Sequence, residues 1–156
     1  MKQSTCSIPR MALWKCAVAL SVVLYLPGAG MAAPKEYGNV VVDEVTSIYD
    51  ADTFTVNIKN WPSLIGERIS VRVKGVDAPE IRGKCQAEIV RARQAKEFTV
   101  EQLRSAKHIE LRNLGRDKYF RILADVFIDG RSLAQQLVDR DLARVYDGGR
   151  KESWCS

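Results

Sequence analysis

Two segments of this 156-residue chain alternate apolar and polar residues without a break, with one short loop between them. Thr53 to Ile58 carries Phe54, Val56 and Ile58 on one face and Thr53, Thr55 and Asn57 on the other. Ile69 to Val73 sets Ile69, Val71 and Val73 against Ser70 and Arg72. A period of two marks strands with one buried face and one wet face. Asn60-Trp61-Pro62-Ser63 and Gly66 lie between the two segments and read as a hairpin loop.

The rest of the pattern limits how such a hairpin can be completed. Val40 to Ile48 reads as a preceding strand. Ala92, Ala95, Thr99, Leu103 and Ala106 recur at steps of three and four and predict an amphipathic helix. His108 to Arg112 and Arg121 to Ile128 read as two more strands, and Asp129-Gly130 as a turn. Ser132 with Gln135 makes a capping box for a helix carrying Leu133 and Leu137. The order is three strands, a helix, two strands, a helix. It predicts one α+β, mainly β domain: a five-stranded Greek-key barrel of the oligonucleotide-binding type with about two helices. There is no repeat, long linker or low-complexity tract.

Composition matters here chiefly for where the charge lies. The chain has 24 Lys+Arg against 19 Asp+Glu, a formal charge of +5. Lys2, Arg10 and Lys15 precede a run of small and apolar residues, Cys16 to Leu26, and then Pro27-Gly28-Ala29-Gly30-Met31-Ala32. That order predicts a secretory signal peptide over residues 1–32. Cleavage after Ala32 is preferred, because cleavage after Ala33 would place Pro34 beside the cut. The apolar run is shorter than the roughly 20 residues a spanning helix needs, so no stable membrane association is expected after cleavage. Export to the periplasm or medium follows. Residues 33–39 then read as a mobile lead and 40–156 as the domain. Without the leader the balance is 21 basic residues to 19 acidic, so the overall basicity is mostly the leader's.

Export also bears on the cysteines. Cys85 and Cys155 remain after cleavage, and in an oxidising compartment two cysteines most simply form one disulfide, with two unpaired thiols as the alternative. The bridge would close a loop of about 70 residues, worth roughly 4 kcal/mol in the chain-entropy picture. No CxxC is present, and His108 is the only histidine. Ribbon-type zinc sites, His-rich metal sites and catalytic histidine pairs are therefore excluded.

The acids collect near the hairpin. Asp50 and Asp52 precede one strand, and Asp77 and Glu80 follow the next. A hairpin turn centred near Leu64 would set Asp52 opposite Asp77, because in an antiparallel pair the start of one strand lies beside the end of the next. Like charges so close would need a hard cation such as Ca²⁺ or Mg²⁺, unless these acids only cap turns. Arg72 lies on the polar face of its strand. A straight strand would hold it about 16 Å from Asp77, so a shared site requires a bend at Gly75. Residues 82–121 hold 11 basic and five acidic residues, a local excess suited to a polyanion. Arg91, Arg93, Lys96 and Arg104 read as a solvated helix face. Arg72 and Arg121, being strand arginines, read as candidates for gripping phosphate.

At these residues a family resemblance emerges. Tyr49-Asp50-Ala51-Asp52-Thr53, Val71 to Glu80, Asp117-Lys118-Tyr119-Phe120-Arg121, Ala124 to Gly130 and Leu142-Ala143 together resemble the staphylococcal (micrococcal) nuclease, or thermonuclease, family. The likeness runs from about Val40 to Tyr146. Ile81-Arg82-Gly83-Lys84-Cys85 and the terminal Trp154-Cys155 are similar to its short exported Gram-negative and plasmid-borne members.

The resemblance implies a Ca²⁺-dependent endonuclease that hydrolyses DNA and RNA to products ending in 3′-phosphate, acting as a monomer. It implies Asp52, Asp77 and the carbonyl of Ala78 as Ca²⁺ ligands, with Asp50 just outside them. Arg72 and Arg121 would clamp the scissile phosphate, and Glu80 would activate the attacking water. Lys118 and Tyr119 would bind a terminal nucleotide phosphate. Three departures stand out: Ala78 replaces a Thr, Ala51 replaces a Gly, and a long C-terminal helix is missing. A Cys85–Cys155 bridge would substitute for that helix. The rival reading is a barrel that binds nucleic acid without cutting it. Retention of Glu80 and both arginines favours the nuclease.

Overall fold

The structure, a computed structural model, describes residues 37–155. The signal-peptide reading of 1–32 and the start of the lead at 33–36 lie outside the described residues. The elements run β1 (Val40–Val41), β2 (Glu44–Ile48), β3 (Thr53–Asn57), α1 (Ser63–Gly66), β4 (Ile69–Val73), β5 (Val76–Asp77) and α2 (Gln86–Ser105). They continue with β6 (Ile109–Arg116), β7 (Ile122–Ile128), β8 (Arg131–Ser132), α3 (Leu133–Val138) and β9 (Arg144–Val145). The fold is α+β and mainly β.

The main sheet has the order β1-β6-β7-β4-β3-β2, with β8 attached to β7. Its two ends belong to one stretch of chain. The Val42 amide donates to the Ile109 carbonyl at 2.9 Å, and the next amide, Asp43, donates to the Asn57 carbonyl at 3.0 Å. The strand expected over Val40 to Ile48 is therefore bent, and at the bend it changes partner from β6 to β3. Counted as one strand, it closes five strands upon themselves. Only the β4–β7 pairing in this sheet is parallel. Tyr37 to Asn39, expected in a mobile lead, instead extend the pairing with β6. Tyr37 N–H donates to Leu114 O at 2.8 Å, and Leu114 N–H donates to Gly38 O at 3.0 Å.

Alternation builds the interior. Phe54, Val56, Val71, Val73, Leu111, Ile122, Ala124, Val126 and Ile128 all point inward and are buried. Truncating an aliphatic side chain at such a position costs about 2–5 kcal/mol, because transfer and cavity terms add. On α2, Ala92, Ala95, Thr99 and Leu103 form the buried stripe the sequence predicts. Ser132 caps α3 by accepting from the Gln135 amide, as expected. The other half of the capping box is absent, since the Gln135 side chain donates to Asp139 at 2.6 Å instead.

The hairpin register differs from the expected one. Thr53 pairs with Arg72, so Asp52 faces Val73 rather than Asp77. The Val73 amide donates to Asp52 O at 2.8 Å. The cause lies in the loop, where the single turn of α1 folds back on the end of β3. A Cβ at Gly66 would come within 2.7 Å of Ile58 O and 2.8 Å of Trp61 Cβ, so only glycine fits. The hairpin thus centres on Pro62–Ser63. Asp77 reaches Asp52 by another route. Gly75, with φ +80°, turns the chain after β4, and β5 runs back to pair with β9.

Candidate active site

Five carboxylates and several cations surround one open cleft of about 760 Å³. Its lining includes Asp50, Asp52, Arg72, Glu80, Lys118, Tyr119, Arg121 and Lys151. Asp77 lies buried behind it.

One side of the cleft is built by the barrel. Asp52 Oδ1 accepts from the Thr53 hydroxyl at 3.0 Å, and Oδ2 accepts from the Ala78 amide at 3.0 Å. Arg72 Nη1 forms an ion pair with the same Oδ2. Arg72 Nη2 donates to Val76 O at 3.0 Å and lies 3.9 Å from Asp77 Oδ1. The bend at Gly75 thus brings Arg72 and Asp77 together despite their separation in sequence. Asp50 Oδ1 accepts from the Asp52 amide at 3.2 Å. α2 fixes this loop from behind, because Thr99 Oγ1 donates to Ala51 O at 2.9 Å. Burial pushes the Asp50 carboxyl up, against a hydrogen bond from Thr53 and the charge of Arg72. Burial likewise pulls the Arg72 guanidinium down, against the charges of Asp50, Asp77 and Glu80.

The facing side is a tight turn. Asp117 accepts from the Tyr119 amide at 2.8 Å, the Arg121 amide at 3.0 Å and Arg121 Nε at 2.7 Å. Burial opposes its charged form, but the bonds from Arg121 and the two amides outweigh that and hold the carboxyl below its usual range. Phe120 closes the turn at φ +63°. Arg121 then reaches the Thr53 hydroxyl at 3.5 Å. Thr53 is the cross-strand partner of Arg72, so the two arginines approach the cleft from either side of it. Lys118 Nζ lies 5.0 Å from the centre of the exposed Tyr119 ring.

Glu80 lies on the strap after β5, with its side chain 54% exposed. Glu88 holds that strap. Its buried carboxylate accepts from the Glu80 amide at 3.3 Å and the Lys84 amide at 2.9 Å. Gly83 allows this contact, since a Cβ there would come within 2.5 Å of Glu88 Cγ and Cδ.

The Cys85–Cys155 disulfide forms and ties the tail to the same strap. Trp154 lies with Arg144 4.0 Å and Arg91 5.6 Å from its ring centre, and its Nε1 donates to Asp77 Oδ2 at 3.4 Å. Lys151 Nζ lies 2.6 Å from Asp77 Oδ1 and 3.4 Å from Glu80 Oε1. Burial lowers the Lys151 ammonium, but its contact with Asp77 and the charges of Asp77 and Glu80 outweigh this, so it titrates above its usual value.

Asp52, Asp77 and Glu80 are hard oxygen donors suited to Ca²⁺ or Mg²⁺. Asp77 Oδ1 supplies the test of fit. It is sealed from solvent and accepts no well-aligned hydrogen bond among the described residues. A buried anionic oxygen neutralised only by neighbouring charge is what a cation site requires. Of Ala78, the structure shows the amide bound to Asp52. Cys85, Glu88 and Cys155 also lie within 4.8 Å of one another. They do not form a metal site, because both sulfurs are in the disulfide and Glu88 is committed to backbone amides.

Sequence reasoning missed Thr53, Thr99, Glu88, Lys151 and Trp154. Glu88 and Thr99 carry a readable signal, a carboxylate and a hydroxyl on the buried side of α2. Lys151 carries none. His108, the only histidine, is exposed.

Fold and cleft together define an oligonucleotide-binding-type barrel with an open, charge-lined site. The family model described as staphylococcal nuclease homologue matches residues 70–153. That is more than half of the chain, and the chain belongs to this family of nuclease-type proteins. The matched span contains Arg72, Asp77, Glu80, Lys118, Tyr119, Arg121 and Lys151 but not Asp52. No curated protein matches the chain.

Proposed function

We propose that this protein is an exported, monomeric, Ca²⁺-dependent endonuclease that hydrolyses DNA and RNA to 3′-phosphate-ended products. The observation that carries the reading is the convergence of Arg72, Arg121 and the open Glu80 on a cleft backed by Asp52 and Asp77. Asp52, Asp77 and the Ala78 carbonyl would hold the ion, which supplies positive charge to the phosphate oxygens. Arg72 is held in place by Asp52 and the Val76 carbonyl, and Arg121 by Asp117. Neither arginine has to reorganise as charge builds on the phosphate, which is the condition for effective electrostatic catalysis. Glu80 has an oxygen face open to solvent and would take the proton from an attacking water. Lys118 and Tyr119 offer a cation and a ring to the neighbouring nucleotide. No histidine is needed. The disulfide supports the export reading.

The test incubates purified, disulfide-intact protein with heat-denatured DNA, in Ca²⁺ and in a Ca²⁺ chelator, beside Glu80→Gln. Cleavage should need Ca²⁺ and fall by about 10²–10⁴-fold in the variant. Salt-sensitive DNA binding without cleavage would instead establish the inactive binding barrel.

A further inference from the structure

Lys151 lines the cleft and has no role in the reading just given, yet its ammonium lies against two of the carboxylates. It lies 2.6 Å from Asp77 Oδ1 and 3.4 Å from Glu80 Oε1. These are the buried carboxylate assigned to the ion and the carboxylate assigned to the water. We propose that Lys151 is a tethered counter-ion of the metal site, which a divalent cation must displace before the site can work. The inference rests on the divalent-cation reading above.

Two observations support displacement rather than permanent structure, and a third supports the tether. First, Asp77 Oδ1 has no hydrogen bond of good geometry, so Lys151 meets it as a charge and not as a shaped partner. Arg72, by contrast, holds Asp52 and the Val76 carbonyl together with a side chain only 12% exposed. Second, the Lys151 side chain is 47% exposed, so its ammonium can swing into water without crossing packed structure. Third, the tail that carries Lys151 is fixed on its far side. Cys155 is bonded to Cys85, Trp154 touches Asp77, and Arg144 contacts Glu152 at 3.4 Å and Ser153 O at 3.1 Å. These anchors keep the ammonium near the carboxylates at a high effective concentration, as any tether does.

The physical consequence is exchange. Without the ion, Lys151 neutralises Asp77 and Glu80, which would otherwise repel each other. When the ion enters, it must compete with an ammonium that is already attached. Lys151 therefore weakens ion binding and makes it depend on the tail. Reducing the disulfide should loosen the tether and ease the exchange.

Ca²⁺ binding by calorimetry tests this without an activity assay. The comparison is wild-type protein, Lys151→Gln, and Arg150→Gln, which removes the same charge from the adjacent residue of the tail. The first variant should bind Ca²⁺ about two- to fivefold more tightly than wild type, the range for losing a half-exposed charge contact. Arg150→Gln should stay near wild type, and reduced wild-type protein should move toward Lys151→Gln. Equal affinity in Lys151→Gln and wild type, or an equal gain in Arg150→Gln, overturns the inference and leaves the cation reading intact. No Ca²⁺ binding in any form overturns both.

Discussion

The two sides of the cleft use similar chemistry but are held by different means. On the barrel side, Arg72 and Asp52 form a buried pair whose positions follow from strand register and from the bend at Gly75. On the turn side, Arg121 and Asp117 form an i,i+4 pair, with the arginine side chain 27% exposed, fixed by hydrogen bonds within five residues. Burial dominates the first side and raises the Asp50 carboxyl. On the second, local hydrogen bonds overcome burial and lower the Asp117 carboxyl. An arginine built into the barrel is bound into the fold. One held by a turn can be altered with little cost to the fold.

The sharpest way to break this comparison is to remove each arginine in turn. Arg72→Gln and Arg121→Gln should each lower cleavage by about 10²–10³-fold, as loss of a preorganised donor does. Only Arg72→Gln should also destabilise the protein strongly, by about 3–5 kcal/mol, because Asp52 would be left buried without its partner. Arg121→Gln should cost less than about 1 kcal/mol in a denaturant titration. Equal losses of stability would sink the distinction.

Reducing Cys85–Cys155 comes next in size. The bridge spans 70 residues of sequence. Its loss should lower stability by roughly 4 kcal/mol, read as a drop in melting temperature with reductant. An unchanged melting curve would mean that the tail is held by Trp154 and Arg144 alone.

Smaller again is Glu88→Ala, which leaves the Glu80 and Lys84 amides without their acceptor. A loss of about 1–3 kcal/mol is expected. Cleavage should fall with it, since Glu80 is then poorly placed. Full activity in this variant would show that the strap is held elsewhere.

The smallest effect concerns pH. Asp117 has a folded value depressed below 3.8, so its contribution to stability is present above that pH. It is lost as pH falls through the depressed value. Asp117→Asn should therefore melt below wild type at pH 7, and the gap should close in strong acid. A gap that persists there would point to shape rather than charge.

Much of this was legible in the sequence because burial enforces periodicity. β3, β4, β7 and the stripe on α2 were read correctly for that reason, and the arginine and carboxylate sets follow from their strands. The register of β3 on β4 was not legible. It depends on Gly66 packing under Trp61, which is a contact and not a pattern. β5 and β9 have two residues each, too few to show any period. Glu88 was legible only as a carboxylate on the buried stripe of α2; that it holds the strap was not, because the strap's path follows no period. Lys151 acquires its meaning only from the disulfide that places it.

The single parallel pairing also governs when the site comes into being. Val71 lies beside Ile122, and Arg72 beside Leu123, across about fifty intervening residues. Closing so long a loop is slow compared with forming a hairpin. As the chain folds, β2, β3 and β4 can form an early meander that already holds Asp52 and Arg72. Arg121, Lys118 and Tyr119 join it only when β7 docks, and the tail arrives last. The unfinished chain therefore carries only part of the cleft lining, and the cleft is completed with its final third.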